Sequence, residues 1–266
     1  MANFAFNNSP AFNGRNPSAA PAIPTPAQLE EQYRLPSPDA DQMERMSYED
    51  VIAKTVTGFA VLIAGAAIGW FLTFLLIPAA IGGFVLALVN TFKKKPSAAL
   101  VLSYAAVEGI FVGGISSVFD TMWDGIVPMA VFGTLGVVGV TLALFTSGKV
   151  RASARTTKIF LVALVGYAAF SLVNFGLMVF GVTDSMFGLR DTLIPGLNIP
   201  IGVVLGILVV FLAAYSLVLD FDMVKRGVEG GQPRIYGWTA AFGIMVTVVW
   251  LYVEILRLLS YFMPRN

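Results

Sequence analysis

Apolar residues run along this chain in long blocks that short polar stretches separate. Past residue 50 there are seven such blocks, and most are close to the ~20 residues that a helix needs to cross a bilayer. Their approximate bounds are 51–70, 72–92, 97–118, 125–147, 157–181, 198–221 and 236–262. The pattern predicts an all-α, polytopic membrane protein with seven transmembrane helices, the first two joined by a very short connection.

The first 45 residues follow a different pattern. Residues 1–45 are rich in Asn, Pro, Ser and Ala and show no apolar period. Such a segment cannot bury enough surface to offset its chain entropy. We therefore predict a disordered, Pro-rich tail followed by a transmembrane domain over residues 46–263. Ser47 is the expected N-cap of the first helix, with Asp50 in its first turn.

The basic residues predict the orientation of the chain. The loops after blocks two, four and six hold ten Lys and Arg residues, whereas the alternate loops hold only Arg190. Positive charge is retained on the cytoplasmic side. The N-terminus is therefore expected in the cytoplasm, and the regular alternation supports seven spans.

Composition narrows the classes of function. The chain is 57% hydrophobic but only 12% charged, and a soluble protein carries about 25% charged residues. A net charge of +1 gives no electrostatic basis for binding nucleic acid. The chain contains no Cys and no His, which excludes thiolate or histidine metal sites and Ser-His-Asp triads. No cofactor motif is present, and we expect a protein without enzymatic activity.

Glycines spaced four apart predict close packing between helices. The pairs are Gly65/Gly69, Gly109/Gly113 and Gly202/Gly206, and Gly133, Gly136 and Gly139 repeat at three. Small residues at this spacing let helix backbones approach each other within a membrane. We expect them to serve packing inside one bundle rather than dimerisation.

Few ionisable side chains lie at membrane depth, and they are the candidate functional residues. Glu108 lies near the middle of block three, roughly 16 Å from either end. Asp220 and Asp222 lie at the end of block six, where they either face headgroups or are buried. Glu254 and Arg257 lie one turn apart on block seven, where Arg257 either snorkels or pairs locally with Glu254. Such residues hold a proton, coordinate a hard cation such as calcium, or join helices.

Three of these stretches resemble the transmembrane Bax inhibitor motif family. WLYVEILRLLSYF is similar to the last helix of that family, YAAVEGIFVGGIS to its third helix and LVLDFDMV to its sixth. The Pro-rich tail and the glutamate in the last helix resemble its actinobacterial-type branch. The resemblance implies a central helix surrounded by the others and a pH-sensitive calcium leak. It also implies an acidic pair from helices six and seven, assisted by an arginine latch.

Carried over to this sequence, Glu254 matches the acid of helix seven, and Asp220 or Asp222 matches that of helix six. The residue count disagrees with a direct pair, because Asp222 and Glu254 differ in depth by roughly 20 Å across a hairpin that turns near Gly230. Either a broken or re-entrant helix brings Asp220 or Asp222 to Glu254, or Glu254 pairs elsewhere. For the second case we hypothesise that Glu108, Glu254 and Arg257 form an intramembrane cluster. Asp220 and Asp222 then form a cytoplasmic-side gate.

Two functions agree with these features. The first is a pH-sensitive cation leak, with calcium as the permeant ion, in the cell membrane and specifically a bacterial plasma membrane. The alternative is a non-transporting regulator that binds a membrane protein complex, such as a AAA membrane protease, through residues 1–45. An intramembrane aspartyl protease is disfavoured because the chain lacks a GxGD motif.

Overall fold

The computed structural model describes residues 44–183 and 185–264, and it is a bundle of seven long helices. In chain order these are α1 (Tyr48–Phe71), α2 (Leu76–Phe92), α3 (Ala98–Met122), α4 (Ile126–Thr146), α5 (Ala154–Val179), α6 (Ile201–Glu229) and α7 (Gly237–Ser260). All seven are long and apolar enough to cross a bilayer. The predicted fold class is therefore confirmed. The predicted tail lies outside the described residues, except for Glu44 and Arg45.

The helix ends follow local sequence signals. Ser47 is the N-cap of α1, and its hydroxyl accepts a hydrogen bond from the amide of Asp50 at 3.2 Å. A single 3-10 turn over Thr73–Leu75 joins α1 to α2, in agreement with the predicted short connection. Helix α6 continues to Glu229, eight residues beyond the predicted end at 221. The additional turns mix buried apolar residues with charged residues that form i, i+4 ion pairs, and this charge ends the apolar block before the helix itself ends.

Helix α7 occupies the centre of the bundle. It has the largest buried share of the seven helices and packs against α1, α3, α4 and α6. Helix α5 lies at the edge, in contact mainly with α6 and with the α5–α6 loop. The outer faces of α1, α2, α4 and α5 expose large apolar side chains, among them Phe71, Phe84, Phe132 and Leu172. We assign these faces to lipid contact, because exposing so many large apolar side chains to water would cost free energy.

The glycine pairs pack inside the bundle, as predicted. A Cβ on Gly65 or Gly69 would lie 2.4 Å or 2.0 Å from a backbone oxygen of α3. A Cβ on Gly109 or Gly113 would lie 2.1 Å or 1.9 Å from a backbone oxygen of α1. The backbones of α1 and α3 therefore touch directly along two helical turns. Side chains at the end of α7 pack against Gly202 and Gly206, whereas Gly136 and Gly139 have no close neighbour among the described residues.

We call the end of the bundle where α1 begins the near end, and the end where α1 finishes the far end. The near end is the one that the basic loops predict to be cytoplasmic. Residues facing each other across α6 and α7 show that these helices are antiparallel: Asp220 contacts Thr247, and Gly206 faces Leu258. Glu254 lies seven residues beyond Thr247, which places it about 10 Å closer to the far end.

Candidate functional site: a buried carboxylate between two arginines

Glu254 lies near the far end of α7 and is 3% exposed. Its Oε1 atom accepts hydrogen bonds from the Tyr167 hydroxyl and from Nη1 of Arg257, the latter at 2.7 Å. Its Oε2 atom accepts from Nη1 of Arg190 at 3.3 Å. Both carboxylate oxygens are thus occupied by donors, and one negative charge is held between two guanidinium groups.

The three partners reach Glu254 from three different elements. Arg257 follows it by one turn on α7, as the i, i+3 spacing predicts. Tyr167 projects from α5. Arg190 comes from a short 3-10 turn in the α5–α6 loop, and it is 4% exposed. Its Nη2 atom also donates to the Tyr167 hydroxyl at 2.6 Å, and its guanidinium lies 5.3 Å from the centre of the Tyr167 ring.

Arg190 remains a cation in this position. Its burial favours a lower pKa, but the charge of Glu254 and the contact with Tyr167 oppose that effect and leave the pKa raised. Tyr261, next to the same loop, has a pKa raised by burial and then by the neighbouring charge of Asp191.

The loop that carries Arg190 is fixed to the bundle at several points. The side chain of Asn174 on α5 accepts from the amide of Leu189 at 2.6 Å and donates to the carbonyl of Phe187 at 3.1 Å. Asp191 accepts from the amide of Phe187 and, at 3.1 Å, from the Tyr261 hydroxyl. The loop is therefore held by α5 on one side and by the end of α7 on the other.

Two neighbouring clefts border both α5 and α7, and residues of α2 and α6 also line the near-end one. The far-end cleft has a volume of about 440 Å³ and is lined by Glu254 and its three partners together with Ser171 and Asn174. The near-end cleft has a volume of about 450 Å³, and its polar lining comes from Thr91, Ser216 and Thr247. Tyr167 and Trp250 line both, with ring centres 6.2 Å apart. We call these two clefts together the α5–α7 groove.

The second buried acid is Asp220, which is 0% exposed in the contact between α6 and α7. Its Oδ2 atom accepts a hydrogen bond from the Thr247 hydroxyl at 2.6 Å. Asp222 is different, because it pairs with Arg226 at 2.9 Å on a partly exposed turn. The two candidate acids of helix six are thus one interior residue and one surface residue. Neither contacts Glu254, in agreement with the residue count.

Glu108 does not join the predicted cluster with Glu254 and Arg257. It lies on α3 and faces α2, where a Cβ on Gly83 would come 2.4 Å from its Oε2 atom. Glu108 is ten residues from the start of α3, whereas Glu254 is seventeen residues from the start of α7. Since both helices run from the near end, the two acids differ in depth by about 10 Å. The partner expected from α3 is replaced by Arg190.

Glu254 and Arg257 were predicted from the sequence as functional residues. Arg190, Tyr167 and Thr247 were not predicted as part of the site. One signal for Arg190 was available, because it is the only basic residue in the loops of the far end. Nothing in the sequence pattern distinguishes Tyr167 and Thr247 from other polar residues of transmembrane helices.

The fold and this site define a multi-pass membrane protein whose apolar helices enclose buried carboxylates. The sequence profile of the family described as Bax inhibitor 1 like matches residues 3–264. The chain therefore belongs to the Bax inhibitor 1 like family, and the resemblance noted from its motifs is confirmed at the level of the family. No curated protein matches the chain.

Proposed function

We propose that this protein is a pH-responsive cation leak in a bacterial plasma membrane and that calcium is a permeant ion. One observation carries the proposal: two buried carboxylates are associated with the α5–α7 groove at different depths, because Glu254 lines the far-end cleft and Asp220 accepts a hydrogen bond from Thr247, which lines the near-end cleft. Ionisable groups within a membrane are costly and commonly mark ion pathways. Carboxylate and hydroxyl oxygens are suitable ligands for a hard cation such as calcium.

The groove suggests an order of events. A cation from the near end meets the polar lining of the near-end cleft, where Thr247 hydrogen-bonds to Asp220. It then passes the rings of Tyr167 and Trp250 and reaches Glu254. While Glu254 is ionised, its ion pairs hold α5, α7 and the α5–α6 loop together. Protonation of Glu254 removes its charge, weakens these contacts and loosens the far end, so acid is expected to increase the leak. The protein needs no catalytic residue or cofactor for this function.

The two acids of α6 provide a matched test of the proposal. The purified protein is reconstituted into vesicles containing a calcium dye, and calcium uptake is followed across mildly acidic to neutral pH. We expect Asp220→Asn to flatten the pH profile, because Asp220 is a buried carboxylate bonded to Thr247, which lines the groove. Asp222→Asn is expected to keep the wild-type profile, because it removes only a partly exposed ion pair. Wild-type vesicles that take up no more calcium than empty vesicles at any pH would rule out a leak.

A second function is favoured by the near end of the bundle. The segment that leads from the tail into α1 pairs with the α6–α7 loop: the amide of Met46 donates to the carbonyl of Gln232, and that of Arg234 to the carbonyl of Glu44, both at 2.7 Å. Arg234 also pairs with Asp50 at 2.8 Å. A partner that pulls on the tail would therefore act directly on α6 and α7, as expected of a regulator of a AAA membrane protease.

Removal of residues 1–43 distinguishes the two functions. The regulator predicts that the full chain co-purifies with a AAA membrane protease, that the shortened chain does not, and that neither takes up calcium. The leak predicts that the shortened chain keeps the wild-type uptake and its pH profile, because the groove is intact. An unchanged co-purification would exclude the tail as the contact with the partner.

A further inference from the structure

A second groove, which we call the α4–α6 groove, lies between these two helices on the side of the bundle. Its volume is about 400 Å³, and it shares no lining residue with the α5–α7 groove. Along α4 it runs from Gly136, at the middle of the helix, to Leu144 in the last turn. Along α6 it runs from Val210 to Val218. Either run is about 12 Å long, so the groove follows the near-end half of α4.

The wall of the α4–α6 groove is apolar and open to the membrane. Val140 and Phe211, which line it, are 61% and 71% exposed, so a hydrocarbon chain can enter from the side. Gly136 leaves space in it, because a Cβ there would meet no atom of the described residues within 4 Å. Of the described lining residues, only Thr141 and Tyr215 carry a polar side chain. The groove therefore fits an acyl chain better than a hydrated ion.

Four basic residues flank the near-end mouth of this groove. Val150 of the α4–α5 loop lines the groove itself. Thr157, in the first turn of α5, shares a hydrogen bond of 3.1 Å with Tyr215 of the groove wall. The loop and the start of α5 therefore lie at the mouth, where a lipid headgroup would be found. The exposed basic residues of this segment are Lys149, Arg151, Arg155 and Lys158.

These four cations differ from the basic residues of the α6–α7 hairpin at the same end of the bundle. There, Arg226 pairs with Asp222 at 2.9 Å and Arg234 pairs with Asp50 at 2.8 Å. The ion pairs of the described residues include none of the four cations at the groove. The chain also has no Asp or Glu between residues 125 and 183. Their positive charge is therefore available to an anion from outside the chain.

We propose that the α4–α6 groove binds an anionic phospholipid of the near-end leaflet, with one acyl chain in the groove and the phosphate on the basic residues at its mouth. Basic pockets between transmembrane helices suit anionic headgroups, and an arginine can hold two phosphate oxygens at once. The bound lipid contacts α4, α6 and the start of α5, and it thus adds a contact for the helix at the edge of the bundle. The site is independent of the proposed leak, because the two grooves have no lining residue in common.

Native mass spectrometry of the full-length protein in mild detergent tests the headgroup part of the proposal. The protein is titrated with phosphatidylglycerol and with phosphatidylcholine that carry the same long acyl chains. Two triple variants lose the same charge at the near end of the bundle. The groove triple carries Lys149→Gln, Arg151→Gln and Arg155→Gln. The control triple, in the α2–α3 loop that does not line this groove, carries Lys93→Gln, Lys94→Gln and Lys95→Gln.

We expect the wild type to bind phosphatidylglycerol more tightly than phosphatidylcholine. Each basic residue beside an anionic lipid contributes about fivefold to binding, so the groove triple is expected to weaken the binding of phosphatidylglycerol roughly a hundredfold. The control triple is expected to keep the wild-type affinity. Equal weakening by both triples would show only a general attraction between charges, and equal affinity of the wild type for the two lipids would exclude recognition of the headgroup. Either result overturns the proposal.

Gly136→Leu tests the acyl-chain part, because the added side chain occupies the groove. Gly139→Leu is the matched control, since position 139 does not line the groove and a Cβ there also meets no described atom within 4 Å. Both variants are first checked for folding by helical circular dichroism. We expect Gly136→Leu to lose the wild-type preference for long-chain over short-chain phosphatidylglycerol, and Gly139→Leu to keep it. An unchanged preference in Gly136→Leu would overturn the proposal, and so would a wild-type dimer that Gly136→Leu alone separates, because the groove would then bind a second copy of the chain.

Discussion

The direct backbone contact between α1 and α3 gives the sharpest prediction for stability. A Cβ on Gly113 would lie 1.9 Å from the carbonyl oxygen of Ala66, and 2.7 Å from its carbonyl carbon. Carbon and oxygen atoms in such helix contacts normally keep a distance of about 3.3 Å or more. Because the obstacle is backbone, no side-chain rotation relieves the overlap. In Gly113→Ala, α1 and α3 must therefore separate by roughly 1.4 Å.

The cost follows from what that separation breaks. A gap of 0.5–1 Å already loses about a quarter to a half of the dispersion energy of each contact it opens. The same contact surface includes Gly65, Gly69 and Gly109, whose close approaches would all lengthen together. Overpacking of a tight interior typically costs about 1–3 kcal/mol. We expect Gly113→Ala at the upper end, near 3 kcal/mol, because the clash is with backbone and is shared along two turns.

Gly136→Ala is the matched control, because it makes the same chemical change in the interior of α4. Within the part of the chain that the structure describes, a Cβ there meets nothing within 4 Å. Replacing glycine by alanine in a helix reduces the entropy of the unfolded chain, and we expect a gain of up to about 1 kcal/mol. The two variants should therefore change stability in opposite directions.

The assay is reversible unfolding in mixed micelles with increasing SDS, followed by helical circular dichroism. The wild type and both variants are compared at one detergent composition, and the free energy of unfolding is extrapolated for each. A Gly113→Ala variant whose free energy of unfolding lies within about 0.5 kcal/mol of the wild type would contradict the expected backbone clash, because that is the range of a surface substitution that disturbs no contact.

Three further predictions concern the site. Arg190→Glu places two buried carboxylates together and Glu254→Arg places buried guanidinium groups together, and combining the two changes should recover at least about 1 kcal/mol of the summed loss in the same unfolding assay; strict additivity would show that the residues do not interact. Thr247→Val removes the donor to Asp220 and should cost about 1–3 kcal/mol, while an unchanged stability would exclude an energetic role for that bond. Gly188→Ala combines a positive φ with a Cβ only 2.5 Å from the side chain of Asn174, and should speed amide exchange in residues 185–191; an unchanged rate would contradict the tight loop.

The helices and one part of the site were predictable because their signals are local. Seven apolar blocks gave seven helices, since a bilayer of fixed thickness requires a minimum length of apolar residues. The contact of Glu254 with Arg257 follows from helix geometry alone, because residues three apart share a face. Likewise, Asp222 pairs with Arg226 one turn away, as expected for a polar helix end.

The rest of the site depends on how distant segments meet. Arg190 reaches Glu254 because the α5–α6 loop folds back into the bundle, and that path depends on Asn174 and Asp191 as anchors. From the sequence alone, Arg190 is recognisable only as a single basic residue in a loop. Asp220 is buried because of the register in which α6 packs against α7. The pattern of apolar residues does not determine that register. The cluster predicted around Glu108 does not form for a similar reason. Glu108 on α3 and Glu254 on α7 lie at different depths in the bundle.

The proposed leak is tested by the pH profile of calcium uptake by vesicles that contain Glu254→Gln. In the proposed closed state, one ionised carboxylate holds Arg190 and Arg257 together at the far end. We expect wild-type uptake to increase from neutral to mildly acidic pH, and Glu254→Gln to take up calcium at neutral pH as the wild type does in acid. Equal uptake by the wild type and Glu254→Gln at every pH would exclude Glu254 as the group that closes the leak.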